Sequence, residues 1–88
     1  MREVYYGSRF RKDFKLTVKR GLNMSLIRKV MEKLENEIPL DETYKNHALT
    51  GSSIGNFECH IQPDWLLIYQ LTETSVIFVR TGSHSDLF

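Results

Sequence analysis

The sequence lacks most of the features that mark secreted and membrane proteins. Its single cysteine, Cys59, excludes an internal disulfide and is typical of a protein from a reducing compartment. No apolar run reaches the roughly 20 residues that a membrane-spanning helix needs, and no secretory leader opens the chain. We therefore expect a cytoplasmic protein with no membrane partner, in which Cys59 is a small buried hydrophobe.

The chain is also too short for more than one hydrophobic core. Its 88 residues are 41% hydrophobic and 26% charged, which is close to the average for globular domains and argues against disorder. The sequence therefore predicts a single domain over residues 1–88.

Charge is distributed unevenly along the chain. Residues 1–29 contain nine Lys or Arg and two acidic residues, a balance of +7, whereas residues 30–88 contain three basic and nine acidic residues, a balance of −6. A basic segment of this kind is the electrostatic footprint of phosphate-backbone binding, with a solvated helix face as the alternative. The lysines that we expect to bind RNA are Lys12, Lys15 and Lys19.

The first 39 residues predict a short strand followed by two helices. The strand covers residues 2–6 and ends at Gly7, and Ser8 is a plausible N-cap for the first helix, which Gly21 ends. Asn23 then caps a second helix, which Pro39 stops. The apolar stripes predicted to pack on a sheet are Phe10, Phe14, Val18 and Leu22 in the first helix, and Ile27, Val30, Met31, Leu34 and Ile38 in the second.

Three strands are predicted after a long irregular connection over residues 39–55. They cover residues 56–61, 65–72 and 75–81, and about one helical turn follows them. Pro63 breaks the first strand from the second, and the run from Trp65 to Leu71 is apolar on both faces, as in a central strand covered on two sides. The sequence therefore predicts an α+β domain with a mainly antiparallel sheet and a helical hairpin on one face.

All three histidines lie in predicted loops or at strand ends, outside the basic helices. Imidazole titrates near neutral pH, so His47, His60 and His84 in one cleft would supply both a general base and a general acid. Asp64 would orient one imidazole and Arg80 would hold a phosphate, which matches cleavage of RNA by its own 2′-hydroxyl. Zinc is the alternative, but spacings of 13 and 24 residues match no compact ligand motif.

Three segments carry a resemblance to a known family. They are Tyr44-Lys-Asn-His-Ala-Leu-Thr-Gly51, Glu58-Cys-His-Ile-Gln-Pro-Asp-Trp-Leu-Leu-Ile-Tyr69 and Phe78-Val-Arg-Thr-Gly-Ser-His-Ser-Asp-Leu-Phe88. Across nearly its whole length the chain resembles the YafQ-type toxins of the RelE superfamily, bacterial endoribonucleases of type II toxin–antitoxin modules. The resemblance implies the RelE-like fold and cleavage of mRNA in the ribosomal A site, with no cofactor.

The resemblance also implies partners and site residues. The partners would be mRNA, the ribosome with its 16S rRNA, and a cognate antitoxin in a heterotetramer that binds operator DNA through the antitoxin. By position, His47, His60, Asp64, His84 and Phe88 match the family's active-site residues. Trp65 matches an adjacent aromatic, and Arg80 matches an arginine at the scissile phosphate. Trp65 or Phe88 would stack on a displaced base.

One position departs from the family pattern, because Phe57 stands where the family usually has an arginine. A phosphate contact is then missing or supplied elsewhere, and the toxin would be weakened. Two further alternatives stay open on the sequence: a small α+β module that binds RNA or a protein partner with structural histidines, and a nuclease that cuts free RNA without the ribosome.

Overall fold

The structure is a computed structural model that describes residues 1–49 and 55–88. Within these ranges five strands form one sheet in the order β1-β5-β4-β3-β2. The strands are β1 Glu3–Tyr6, β2 His47–Ala48, β3 Asn56–Gln62, β4 Trp65–Leu71 and β5 Ser75–Gly82, and the helices are α1 Ser8–Lys19, α2 Met24–Glu35 and α3 His84–Leu87. Only β1 pairs in parallel, with β5, and the other described pairs are antiparallel. The predicted α+β class and mainly antiparallel sheet are confirmed.

The core lies between one face of the sheet and the helices α1 and α2. Phe10 of α1 and Ile27, Val30 and Leu34 of α2 are buried. The sheet contributes the buried side chains Cys59, Trp65, Leu67, Tyr69, Val76 and Phe78. Burial raises the pKa of the Cys59 thiol to about 12, which fits the prediction of an inert, buried cysteine.

Strand β4 has the central position that its apolar sequence predicts. It is the third of the five strands, and Trp65 to Tyr69 are all buried. Leu66 and Ile68, 0% and 6% exposed, alternate with the core residues and therefore point to the sheet face opposite α1 and α2. We call this second face the site face.

The predicted start of α1 and its predicted apolar stripe both need correction. Gly7 occupies the N-cap position of α1, so Ser8 is the first helical residue. Val18 and Leu22 are 52% and 37% exposed, whereas Thr17 is buried. Steps of four residues advance about 40° beyond a full turn, so a strict four-residue stripe leaves the core face after two steps.

Helix α2 is also shorter than its sequence pattern predicts. It ends at Glu35, and Glu37 has a positive φ of 59°, which turns the chain out of the helix before Pro39. Ile38, predicted as the last residue of the stripe, is 51% exposed. The N-cap prediction for this helix is confirmed, because the Asn23 side chain accepts a hydrogen bond from the Ser25 backbone N–H.

The connection over residues 39–55 is more regular than predicted. It contains a 3₁₀ turn at Glu42–Tyr44 and the short strand β2 at His47–Ala48, which pairs with β3. Residues 50–54 of this predicted connection lie outside the described residues. No helix in the described ranges is long and apolar enough to cross a membrane.

Candidate active site

Two rows of paired residues cross the site face of the sheet. In the first row His47 pairs with Glu58, Glu58 with Ile68, and Ile68 with Arg80. In the second row His60 pairs with Leu66, and Leu66 pairs with Gly82, just before α3. Directly paired residues point to the same side of a sheet, so the register alone brings His47, Glu58, His60 and Arg80 to one face.

Glu58 lies between two of the predicted catalytic histidines. One carboxylate oxygen, Oε1, is 3.5 Å from Nε2 of His47 and 3.5 Å from Nε2 of His60. Glu58 is only 6% exposed, so its contacts with both imidazoles are largely shielded from water. The sequence reasoning missed this residue. Its spacing of two from His60 on a predicted strand was the available signal, since such residues share a face.

The position of His47 is fixed by the loop that precedes β2. Its Nδ1 lies 2.8 Å from the carbonyl oxygen of Lys45, which only accepts, so Nδ1 carries the proton and donates. The same loop is joined to the core at Asn46, whose side-chain oxygen accepts a hydrogen bond of 2.5 Å from the Tyr69 hydroxyl. Nε2 of His47 is therefore the ring atom that faces Glu58 and is free to exchange a proton.

Asp64 holds His84 by both its backbone and its ring. Oδ1 of Asp64 accepts from the His84 backbone N–H at 2.9 Å and lies 2.7 Å from His84 Nδ1. These hydrogen bonds, the backbone one first, lower the pKa of Asp64, which keeps the carboxylate ionised. Nδ1 of His84 is then the donor and Nε2 is the free atom. Asp64 lies in the turn between β3 and β4, and its carboxylate fixes the orientation of the His84 ring.

The predicted catalytic residues form one continuous group. The rings of His60 and His84 meet edge to face, with centroids 5.7 Å apart. This contact joins the His84–Asp64 pair to the group of His47, Glu58 and His60. A cleft of about 400 Å³ adjoins it, lined by Thr43, Tyr44, Lys45, His60, Ile61, Gln62 and Pro63. Within residues 1–49 and 55–88 no three His, Cys, Asp or Glu side chains have the arrangement of a metal site.

Arg80 is engaged by a carboxylate from α1. Its Nε and Nη2 donate to the two Asp13 oxygens at 2.6 and 3.2 Å, and Asp13 also accepts from the Thr81 backbone N–H at 3.2 Å. Donation of these hydrogen bonds to Asp13 raises the pKa of Arg80 above its ordinary value. Asp13 therefore ties the guanidinium of Arg80 to α1.

The aromatic residues differ in what they can contact. Trp65 is 2% exposed and its indole N–H donates to Thr81 Oγ1 at 3.0 Å, so the predicted stacking of Trp65 on a base is wrong. Phe88 is 68% exposed and has a face available for stacking. Phe57 lies on the core side, stacked on Tyr69 at 5.6 Å between centroids. The arginine that it replaces would therefore not lie on the site face.

The basic helix α1 presents its lysines to solvent, since Lys12, Lys15 and Lys19 are all exposed. Beside it lies a groove of about 510 Å³ with an apolar floor and a basic rim. Its floor contains Tyr6, Phe14 and Met31, and its rim contains Arg11, Lys15 and Arg28. We call this feature the helix groove.

Comparison with known families and proteins agrees with this architecture. Residues 2–88 match the family model described as the bacterial toxin of type II toxin–antitoxin system, YafQ. The mRNA interferase toxin YafQ of Escherichia coli K12 is 42% identical over 88 residues, covering 99% of this chain and 96% of that protein. A putative toxin YafQ of Haemophilus influenzae is 38% identical over 71 residues, covering 77% and 70%.

Solved structures match over the whole fold. YafQ in the crystal structure of the E. coli DinJ–YafQ toxin–antitoxin complex superposes with a TM-score of 0.93 at 42% identity, covering 99% of this chain and 97% of that one. A metal-bound toxin from Helicobacter pylori superposes with a TM-score of 0.92 at 42% identity, and each chain is fully covered.

Proposed function

Because the chain belongs to the YafQ family of type II toxins, we propose that it is a ribosome-dependent endoribonuclease that cuts mRNA in the ribosomal A site. The observation that carries this proposal is the buried Glu58 between His47 and His60, joined through the ring of His60 to the oriented His84. Such a group supplies a base and an acid at opposite ends of one site.

The base lies at the Glu58 end of the site. An imidazole there, from His47 or His60, takes the proton of the 2′-hydroxyl, and Glu58 stabilises the imidazolium that forms. The 2′-oxygen then attacks the neighbouring phosphorus. Glu58 supports the base in this proposal, a role that the sequence suggested for Asp64, because Asp64 contacts His84.

The acid is His84. Its Nδ1 is held by Asp64, so Nε2 of the imidazolium gives its proton to the leaving 5′-oxygen as the bond from phosphorus to that oxygen breaks. Arg80 offsets the charge that develops on the phosphorane. Phe88 stacks on a base that has left its normal geometry. The products are a 2′,3′-cyclic phosphate and a 5′-hydroxyl end, with no cofactor in any step.

Binding to the ribosome uses the basic helix α1. Lys12, Lys15 and Lys19 are exposed on it, and cations that neutralise phosphates release condensed counterions, which makes affinity dependent on salt. These contacts carry no sequence information, so the codon presented by the ribosome sets much of the preference. We infer that the protein acts in the cytoplasm, where ribosomes translate mRNA.

The helix groove is the proposed docking surface of the antitoxin. An acidic amphipathic segment fits it, because apolar side chains would cover Tyr6, Phe14 and Met31 while carboxylates meet the basic rim. The same antitoxin would cover the site and assemble a heterotetramer that binds operator DNA. Support comes from the E. coli relative, whose structure was solved as a DinJ–YafQ toxin–antitoxin complex.

The test compares RNA cleavage with and without translation. Primer extension on a reporter mRNA in expressing cells should reveal cuts within codons that disappear when its start codon is removed. Purified protein should cut mRNA on programmed ribosomes and leave free mRNA intact. Equal cutting of free mRNA would replace the proposal with a free-RNA nuclease. No cutting and no growth arrest would favour a module that only binds RNA or a partner.

A further inference from the structure

An ion pair joins the end of α1 to the short helix α3. Arg20, the C-cap residue of α1, donates from Nη1 to Asp86 Oδ2 at 2.6 Å and from Nη2 to Asp86 Oδ1 at 3.2 Å. The two residues are 66 positions apart in sequence. This bidentate geometry fixes the orientation of both groups as well as their distance.

Asp86 is at the centre of the contacts that hold α3 in place. Besides Arg20, it accepts from the Ser83 backbone N–H at 2.9 Å, and Ser83 Oγ accepts in return from the Asp86 N–H at 3.2 Å. Arg20 first, and then Ser83, hold the pKa of the Asp86 carboxyl well below its usual range, so the pair stays charged. A Cβ on Gly82 would lie 2.9 Å from Asp86 Oδ2 and 3.0 Å from Asp86 Cβ, so a larger residue at this position would displace the carboxylate.

Helix α3 depends on such external contacts. It has four residues, and a single helical turn is unstable alone because nucleation fixes several residues for few hydrogen bonds. Its first residue is His84, whose ring contacts both Asp64 and His60. The contacts that hold α3 therefore set the fraction of molecules in which the His84 imidazole lies beside Asp64 and His60.

We propose that Arg20 is a positioning residue, which holds His84 in its reactive place through Asp86 and α3. Arg20 touches neither the proposed acid nor the base, so it acts through another group. This inference rests on the proposed function, since it concerns the acid of that reaction.

The charge of Arg20 suggests a rival role in binding RNA, because Arg20 follows the basic helix. Asp86→Asn separates the two roles. It removes the charge of Asp86 and leaves every cation in place. The asparagine side-chain oxygen can still accept the hydrogen bond from the Ser83 backbone N–H. If Arg20 only binds RNA, Asp86→Asn should leave the cleavage rate unchanged, or it should improve RNA binding.

The experiment is a double-mutant cycle with Arg20→Ala, Asp86→Asn and the double variant, using single-turnover cleavage on programmed ribosomes. We expect each single variant to lower the rate about twofold to fivefold at unchanged KM, and the double variant to lose no more than either. Arg20→Lys should recover part of the rate. Lys29→Ala, which removes an exposed cation from α2, should match the parent.

A readout without substrate keeps the inference independent of the proposed function. Hydrogen exchange of the His84 backbone amide, which donates to Asp64, should accelerate in Arg20→Ala and Asp86→Asn and stay unchanged in Lys29→Ala. Unchanged exchange in both variants would overturn the proposal, as would a rate loss in Arg20→Ala alone. If the parent cleaves no mRNA, the proposed function fails. Accelerated exchange would still establish that the Arg20–Asp86 pair holds α3 in place.

Discussion

Replacement of His84 by alanine tests the proposed acid most directly. The structure predicts a small effect on stability: the His84 side chain is 54% exposed, and the bond from its backbone N–H to Asp64 survives the change. Alanine also suits a helix, and Ser83 still caps it. We therefore expect a loss of about 1 kcal/mol or less, a decrease of roughly 4–8 °C in Tm at most, and unchanged antitoxin binding.

The expected effect on the reaction is much larger. Loss of a general acid typically costs roughly 100-fold to 10,000-fold in rate, which a small stability change cannot produce in a folded enzyme. The assay is single-turnover cleavage on programmed ribosomes beside thermal melting. Ser85→Ala, in the same helical turn, is the matched control. A His84→Ala protein that melts like the parent and cleaves within about threefold of its rate would refute the acid role.

Four further outcomes follow from the same geometry. Replacing Lys12, Lys15 and Lys19 of α1 with Glu should weaken co-sedimentation of the protein with ribosomes and reduce the salt dependence of that binding. Cleaved mRNA should carry 5′-hydroxyl ends, and a chelator that leaves ribosomes intact should not stop cleavage; 5′-phosphate ends would contradict 2′-hydroxyl attack. Trp65→Phe should lower the Tm through the lost bond to Thr81 yet leave the cleavage rate near that of the parent, whereas a base-stacking tryptophan would lower the rate. The folded-state pKa of Asp64 is below 3.8, so its bond to His84 should persist as pH falls through 3.8 and be lost only below it, as followed by the His84 amide signal in NMR.

Much of the sheet could be predicted because its strands have strong patterns. The run from Trp65 to Leu71 is apolar throughout, and Pro63 gives a clear boundary, so the central strand and its neighbours were placed to within one residue. The helices were located by their stripes and by Asn23. Their ends were less predictable. The chain leaves α2 at Glu37 with a positive φ, and a glutamate gives no sequence signal for that conformation.

The sequence indicated the histidines of the candidate site, but it indicated neither Glu58 nor the contacts among these residues. Histidine chemistry and the family resemblance indicated His47, His60 and His84, but sequence spacing cannot give a strand register. Glu58 acquires its place between two imidazoles from pairing with His47, and that pairing depends on β2, a two-residue strand too short to show a pattern. Likewise, Asp13 lies 67 positions from Arg80, and no local signal links them.

The pairing of β1 with β5 has a consequence for synthesis of the protein. Glu3 lies beside Ser75, 72 positions later, and β1 is an edge strand with β5 as its neighbour. A nascent chain cannot complete this edge until β5 has left the exit tunnel, and α3 with His84 emerges later still. The proposed catalytic group therefore cannot assemble while β5 and α3 are still inside the tunnel.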